Sequence, residues 1–458
     1  MPATPPPPPF VGRERELAVL QELADSGKPE LFVLYGRRRV GKTELLQQLC
    51  KGRRSAYFLA AQVRDKDNLR AFRKVLEEAL GDPLIGSVEF PDWTAALTYA
   101  AERMGTERLV LVLDEFPYLC EANPGLPSLL QRFWDLRGKR SSLMLVLCGS
   151  QVSFMEKEVL AERSPLFGRR TAQRRLEPLS PTDALAFFPK WTMDDRVLAY
   201  SILGGMPAYL RRFDDARSVQ ENLMRECLRP EGYLFDEVQF LLRSELSNPA
   251  TYNSILAAIA RGVDKVGDIA LGVGVDSAHA NKYLSILREL RLVERDVPLT
   301  DPDPLRSRRG TYRIADRFLG FHFRHVQPHA SLIQAGRGSR VYEEFIEPDS
   351  ARLRDDALVE FLLEHLATQA AEVIDDEIAE AGRFAGLFVR AVARTTSGGA
   401  VAAVVVPRGD PSTKALEEEL LELRAALGPR IETLVYSWSD DPGAPLRVEH
   451  VQGGARRR

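Results

Sequence analysis

An α/β fold built around a parallel sheet is predicted for this 458-residue chain by three observations. A strand, a glycine loop and a helix follow one another over residues 31–49. Apolar strand candidates then alternate with helical patterns as far as residue 176, as in a sheet covered by helices on both faces. One of those strands, 109–113, runs into two adjacent carboxylates, Asp114 and Glu115.

Taken in order, residues 1–9 contain the run Pro5 to Pro9 and read as a stiff, solvated, disordered tail. The α/β core spans 10–176. Its strand candidates at 31–35, 56–59, 109–113 and 143–148 are almost continuously apolar, as strands buried on both faces should be. Pro178 and Pro181 punctuate its end. The next block, 177–247, is helical and is interrupted by Gly204-Gly205-Met206-Pro207. It reads as a helical lid.

The block 248–333 holds an amphipathic helix, 251–260, with Gly262 as its C-cap. A short helix, 265–270, a glycine turn, 272–274, and a third helix, 277–290, capped by Asp276 or Ser277, follow. Strands 292–297 and 310–314 then flank a basic turn from Arg306 to Arg309. Helix, helix, recognition helix and wing make a winged helix-turn-helix. Residues 334–340 read as a linker. The remaining block, 334–458, is a small α/β unit with helices at 355–365 and 414–427 and strands at 386–393, 400–406 and 432–438.

Net charge is −3 and 28% of residues are charged, so the chain is not a polycation, and any nucleic-acid contact must come from a local patch. The 45% hydrophobic fraction supports real cores. Four scattered cysteines, Cys50, Cys120, Cys148 and Cys227, form no CxxC pair, and suit thiols in a reducing cytosol better than disulfides or zinc. No apolar run nears the roughly 20 residues that span a bilayer, and no secretion signal is legible. A cytoplasmic protein with no membrane contact is the expectation.

The loop Gly36-Arg37-Arg38-Arg39-Val40-Gly41-Lys42-Thr43 fits G-x-x-x-x-G-K-[ST] at every required position. Its glycines let backbone N–H groups turn toward a phosphate, and the following helix, from Glu44 on, adds its N-terminal dipole. Lys42 would meet the β- and γ-phosphates, and Thr43 would hold Mg²⁺ through its hydroxyl. Asp114, at a strand's C-terminal end, would hold Mg²⁺ directly or through water. Glu115 would polarise the water that attacks the γ-phosphate. Ser150, at the end of the next strand, either senses the γ-phosphate or caps a helix. ATP and Mg²⁺ are therefore the expected ligands.

Phe10-Val11-Gly12-Arg13-Glu14-Arg15-Glu16-Leu17, the phosphate loop, Asp114-Glu115-Phe116-Pro117-Tyr118-Leu119 and Cys148-Gly149-Ser150 resemble the archaeal-type P-loop ATPase family. These are signal-transduction NTPases related to AAA+ proteins. The resemblance continues through residues 164–171, 176–179 and the Gly205-Met206-Pro207 turn. It implies that Val11 and Gly12 lie near adenine, that Pro207 touches the base from the lid, and that Arg169 or Arg170 reports on the γ-phosphate, in cis or from a neighbouring copy. Arg169 is preferred. A guanidinium fork suits a phosphate. In the same family the last block resembles a restriction-endonuclease-like fold. Such a site needs an acid before one strand and Glu-x-Lys on the next. Residues 386–391 and 401–408 carry neither, and Glu344 and Glu360 alone cannot assemble a metal site, so the block is expected to be a degenerate nuclease fold kept for binding or assembly.

The third helix of the winged unit exposes His279, Asn281, Lys282, Ser285 and Arg288. With wing residues Arg308 and Arg309, these would suit double-stranded DNA. Acids at 264, 268, 276, 289 and 294 dilute that patch, and a protein partner fits as well. The leading reading is an ATP-hydrolysing switch that couples nucleotide state to the winged module, with self-assembly open. The alternatives are a nucleotide-gated DNA-binding regulator with negligible turnover, and a nuclease or defence effector.

Overall fold

The computed structural model describes residues 10–458 apart from 88, 106, 247, 302, 304–305, 308, 406–412, 439–445, 453–454 and 458. The proline run at 5–9, Arg308 and the end of the strand read at 400–406 lie outside the described residues. Two compact units are present. One spans Met1–Leu179 and Met206–Ala208, the other Ser180–Gly205 and Tyr209–Arg458.

The first unit contains α1 (Glu14–Asp25), β1 (Glu30–Tyr35), α2 (Lys42–Cys50), β2 (Ser55–Leu59), α3 (Asp65–Leu80), α4 (Trp93–Arg103), β3 (Val110–Asp114), α5 (Phe116–Ala122), α6 (Leu126–Leu136), β4 (Met144–Gly149) and β5 (Ala172–Arg175). The strands form a parallel sheet in the order β2-β3-β4-β1-β5. Every residue of β1, β3 and β4 is buried, as the apolar runs at 31–35, 110–113 and 144–148 require. Phe58, Phe72 and Trp93 pack ring to ring beneath one face, with centroids 5.1–6.1 Å apart. The topology places β4 between β1 and β3. The phosphate loop at the end of β1 and the acids at the end of β3 therefore flank the end of β4, where Ser150 begins. β5, with sequence AQRR, is not legible as a strand. It sits at the sheet edge and pairs only with β1, so its outward residues stay polar.

The second unit begins with α7 (Pro181–Leu185) and α8 (Met193–Leu203), followed by α9 (Val219–Glu226) and α10 (Glu237–Glu245). Three helices come next, α11 (Pro249–Ala260), α12 (Val266–Val273) and α13 (Ser277–Glu289), then the antiparallel pair β6 (Val293–Asp296) and β7 (Thr311–Ile314). Asp276 caps α13 by accepting from the His279 amide at 2.8 Å. α14 (Arg317–Phe321) follows. The stretch read as a linker, 334–340, is exposed at every residue but Gly338. It includes the start of a helical turn at Gly338, which lies so near Leu228 that a Cβ there would be 2.1 Å from the Leu228 carbonyl oxygen.

The helix expected at 355–365 is longer, α15 (Ser350–Thr368). It is followed by β8 (Ile378–Arg383), β9 (Val389–Thr395), β10 (Ala400–Val405), α16 (Thr413–Leu427), β11 (Ile431–Trp438), β12 (Leu446–Gln452) and β13 (Ala455–Arg457). The sheet order is β13-β12-β11-β10-β9-β8, with β10 and β11 parallel and the other pairs antiparallel.

The units downstream of the core do not fall apart into separate bodies, and one carboxylate shows why. Glu360 on α15 accepts from the Tyr200 hydroxyl of α8 at 2.7 Å, from Arg317 of α14 at 2.7 Å and from Arg383 of β8 at 3.2 Å. Arg313 of β7 lies 3.9 Å away. Residues as far apart in sequence as Tyr200 and Arg383 thus share one half-buried anion.

Candidate functional site

The phosphate loop is held by contacts that its sequence explains. Gly41 has φ 97° and Arg39 φ 71°, left-handed values that let successive amides turn inward. At Gly36, a Cβ would lie 2.4 Å from the Leu176 carbonyl oxygen, so no side chain fits where β5 leads out of the sheet. Lys42 is buried, and its Nζ donates to the carbonyls of Gly36 at 2.7 Å and Arg37 at 2.9 Å. Arg37 and Val40 are buried, Arg38 and Thr43 exposed, and Glu44 half-buried. Arg38 donates to the Tyr118 hydroxyl.

The two acids behave differently. Asp114 is 1% exposed and accepts three hydrogen bonds: from Thr43 Oγ1 at 3.0 Å and Tyr57 Oη at 2.5 Å on Oδ2, and from the Glu115 amide at 2.9 Å on Oδ1. Thr43 and Asp114, far apart in sequence, are thereby brought together as adjacent oxygen donors. Two hard oxygens of this kind fit Mg²⁺. Glu115 adopts φ 54°, a left-handed conformation uncommon outside glycine, at the turn from β3 into α5. Its carboxylate accepts from the buried Ser150 Oγ at 3.0 Å and 2.7 Å. Ser150 therefore bonds the catalytic candidate and does not cap a helix. Strain at a carboxylate beside a phosphate loop is the pattern of a functional position.

The outer residues are placed as follows. Val11 and Gly12 are half-buried, and Gly12 has φ 69°. Pro207 belongs to the same compact unit as the loop, and its Cγ lies 3.8 Å from where a Gly41 Cβ would stand. Arg169 donates to Asp135 through Nε at 3.0 Å and Nη2 at 2.8 Å. Arg170 lies over the Phe167 ring at 5.4 Å and donates to the Leu160 carbonyl.

Two site residues escape a reading of the sequence alone. Tyr57 reaches Asp114 from the neighbouring strand, a contact that depends on β2 lying beside β3. Arg13 is 5% exposed and donates to the carbonyls of Val40 at 3.0 Å and Glu177 at 2.6 Å, tying the segment before α1 to the loop. A lone arginine beside a glycine carries a weak signal, and only its fixed place before α1 hints at a role.

In the second unit, His279, Asn281, Lys282, Ser285 and Arg288 are all exposed on α13, and Arg309 is exposed beside the β6–β7 connection. Acids accompany them, since Glu289, Glu294 and Asp296 line the same groove as Arg288 and Arg295. No described helix is long and apolar enough to cross a membrane.

A family model described as an ATPase domain predominantly from Archaea matches residues 10–213. A Methanocaldococcus jannaschii protein named Uncharacterized protein MJECL04 is 35% identical over 327 residues, covering 71% of this chain and 71% of its own length. A second protein of that organism, named Uncharacterized ATP-binding protein MJ0423, is 42% identical over 45 residues, 10% of this chain and 76% of its own. Among solved structures, the Walker-type ATPase paby2304 of Pyrococcus abyssi superposes with a TM-score of 0.50 at 20% identity, covering 69% of this chain and 96% of that one. That last likeness concerns the fold.

Proposed function

The chain belongs to the family of ATPase domains found predominantly in Archaea, and from that premise we propose that it is a Mg²⁺-dependent ATP-hydrolysing switch whose nucleotide state sets the arrangement of its downstream modules. The observation that carries this reading is the meeting of Thr43 and Asp114 at 3.0 Å beside a buried Lys42, with Glu115 on the next residue. In this reading Lys42 exchanges its two loop carbonyls for β- and γ-phosphate oxygens, since a buried cation gains more from an anion than from dipoles. Amides of 36–43 and the N-terminus of α2 cradle the phosphates. Thr43 and Asp114 would hold Mg²⁺, which when bound neutralises charge on the phosphate oxygens. Glu115 accepts the proton of the attacking water, and Ser150 holds it in line. Val11, Gly12 and Pro207 border the base. Arg169 meets a γ-phosphate by leaving Asp135, in cis or from a neighbouring copy.

Downstream, we read 177–247 as a lid, 248–333 as a winged helix and 334–458 as a degenerate nuclease-like domain. Lys282, Arg288 and Arg309, together with Arg308, would contact duplex DNA phosphates, and the interspersed acids make the alternative, a protein partner, a real competitor.

The test is steady-state ATP hydrolysis with Mg²⁺, with and without duplex DNA, beside Lys42→Ala and Glu115→Gln. Lys42→Ala should lose nucleotide binding. Glu115→Gln should bind ATP and lose turnover by about 10²-fold or more, the contribution of a positioned base. Normal turnover by both variants sinks the assignment. Stimulation by DNA that vanishes in Glu115→Gln joins the winged unit to the ATPase. Indifference to DNA directs the search to a protein.

A further inference from the structure

Asp114 is held by more than the motif that defines it. Tyr57 lies on β2, where Leu59 is the residue opposite Asp114 and Tyr57 is opposite Val112. Side chains two residues apart share a sheet face. The phenol thus starts one pleat repeat behind the carboxylate, about 6.7 Å along the strand, and only a side chain as long as tyrosine spans that gap. It does so with its Oη 2.5 Å from Asp114 Oδ2.

The same Oδ2 accepts from Thr43. A carboxylate oxygen offers two lone pairs, and both are engaged here by hydroxyls. A cation held by Thr43 and Asp114 would take the Thr43 oxygen from this bond and would leave the Tyr57 hydroxyl on Oδ2. With the Glu115 amide on Oδ1, it then fixes the carboxylate plane at both oxygens. Without the phenol, Oδ2 loses its shortest hydroxyl bond, and the carboxylate is freer to turn away from Thr43.

We propose that Tyr57 is a positioning residue for the metal, setting the orientation of Asp114 and hence the affinity of the nucleotide-bound site for a divalent cation. The proposal rests on the ATP and Mg²⁺ reading given above. Hydrogen bonds of this outer kind commonly tune metal affinity by about 10–100-fold.

The experiment compares the full wild-type chain with Tyr57→Phe, which keeps the ring and removes only the hydroxyl. Mn²⁺ is titrated by electron paramagnetic resonance at saturating ADP, and ADP affinity is measured separately in EDTA. The expected result is a fall of about tenfold in Mn²⁺ affinity with metal-free ADP affinity unchanged. The Mg²⁺ midpoint of ATP hydrolysis should move by the same factor, with kcat recovered at saturating Mg²⁺. Unchanged Mn²⁺ affinity in a variant that binds ADP overturns the proposal alone. An equal loss of ADP affinity in EDTA also overturns it, because Tyr57 then shapes the loop and not the metal site. Failure of the wild-type chain to bind ADP with or without metal removes the underlying reading, and the proposal falls with it.

Discussion

Replacing Glu360 with glutamine tests whether the second unit is held together by one charge. Glutamine keeps the shape, and its carbonyl oxygen still accepts from the Tyr200 hydroxyl, now found 2.7 Å from the carboxylate. The variant loses the negative charge that Arg317 and Arg383 share at 2.7 Å and 3.2 Å. Arg317 retains the Asp356 carbonyl at 2.6 Å, and Arg383 retains Asp296 at 3.8 Å. Breaking a fully buried pair from one side commonly costs about 3–5 kcal/mol, and the 19% exposure of Glu360, with the surviving partners, places this case at the low end, near 3 kcal/mol. At roughly 2–4 °C per kcal/mol for a unit of this size, melting should fall by roughly 6–12 °C.

The pH dependence sharpens the test. Burial alone raises the Glu360 carboxyl, but Arg317 and then Arg383 outweigh it, leaving the pKa below the ordinary glutamate value. A carboxyl depressed in the folded state adds stability that is present above the unfolded pKa and lost as pH falls through the folded one. Wild type should therefore lose stability on acidification over a window below the usual glutamate range, and Glu360→Gln should lack that component. Arg383 bears the cost of the arrangement: burial and then repulsion from Arg313 lower its pKa to about 10. Thermal and urea unfolding followed by circular dichroism at several pH values would measure both effects. A loss under about 1 kcal/mol, the size of an exposed pair, with the acid limb unaltered, would refute the reasoning.

Gly36→Ala should displace the phosphate loop, because its Cβ would meet the Leu176 carbonyl at 2.4 Å at a φ of 154°; a loss of about 2 kcal/mol or more, in stability or in nucleotide binding, is expected by calorimetry. If the winged unit binds duplex DNA, Arg309→Ala and Lys282→Ala should each reduce the slope of log affinity against log salt by about one, which a fluorescence-anisotropy salt series reads directly. An unchanged slope in both would remove these residues from the interface. Incubation of the chain with nucleic acid and Mg²⁺ or Mn²⁺ should give no cleavage, and cleavage would overturn the reading of the last block as degenerate.

The phosphate loop and the Asp114–Glu115 pair were legible because each is a local pattern at a strand end. The parallel order of the sheet explains why they meet, and Ser150 followed from its place at the end of an apolar strand. Contacts made across strands were not legible. Tyr57 in the run SAYFL reads as an ordinary strand aromatic until β2 is known to lie beside β3. Edge strands were missed for a related reason: β5 and β8 have one partner each and carry polar residues such as Arg174 and Glu380. β12 did leave a trace, since Leu446 and Val448 alternate with Arg447 and Glu449.

Glu360 shows how a charged residue can mislead a sequence reading, and why the last block resists a nuclease assignment. Its neighbours Ala357, Leu358, Val359, Phe361 and Leu362 are all buried, so α15 is apolar on more than one face. A helix of that kind lies inside, and an acid in it must find partners. Glu344, the other helical acid considered for a metal site, is paired with Arg340 at 2.8 Å. Glu360 sits among Arg313, Arg317 and Arg383. A divalent cation approaching that carboxylate would have to displace bonded guanidinium groups and enter a field of three positive charges. The residues that would make the best metal ligand on α15 are thus already committed to joining α8, α14, β7 and β8. In this chain the half-buried acid supplies cohesion, and under the switch proposed above a cohesive second unit would carry movement begun in 177–247 to the block 248–333.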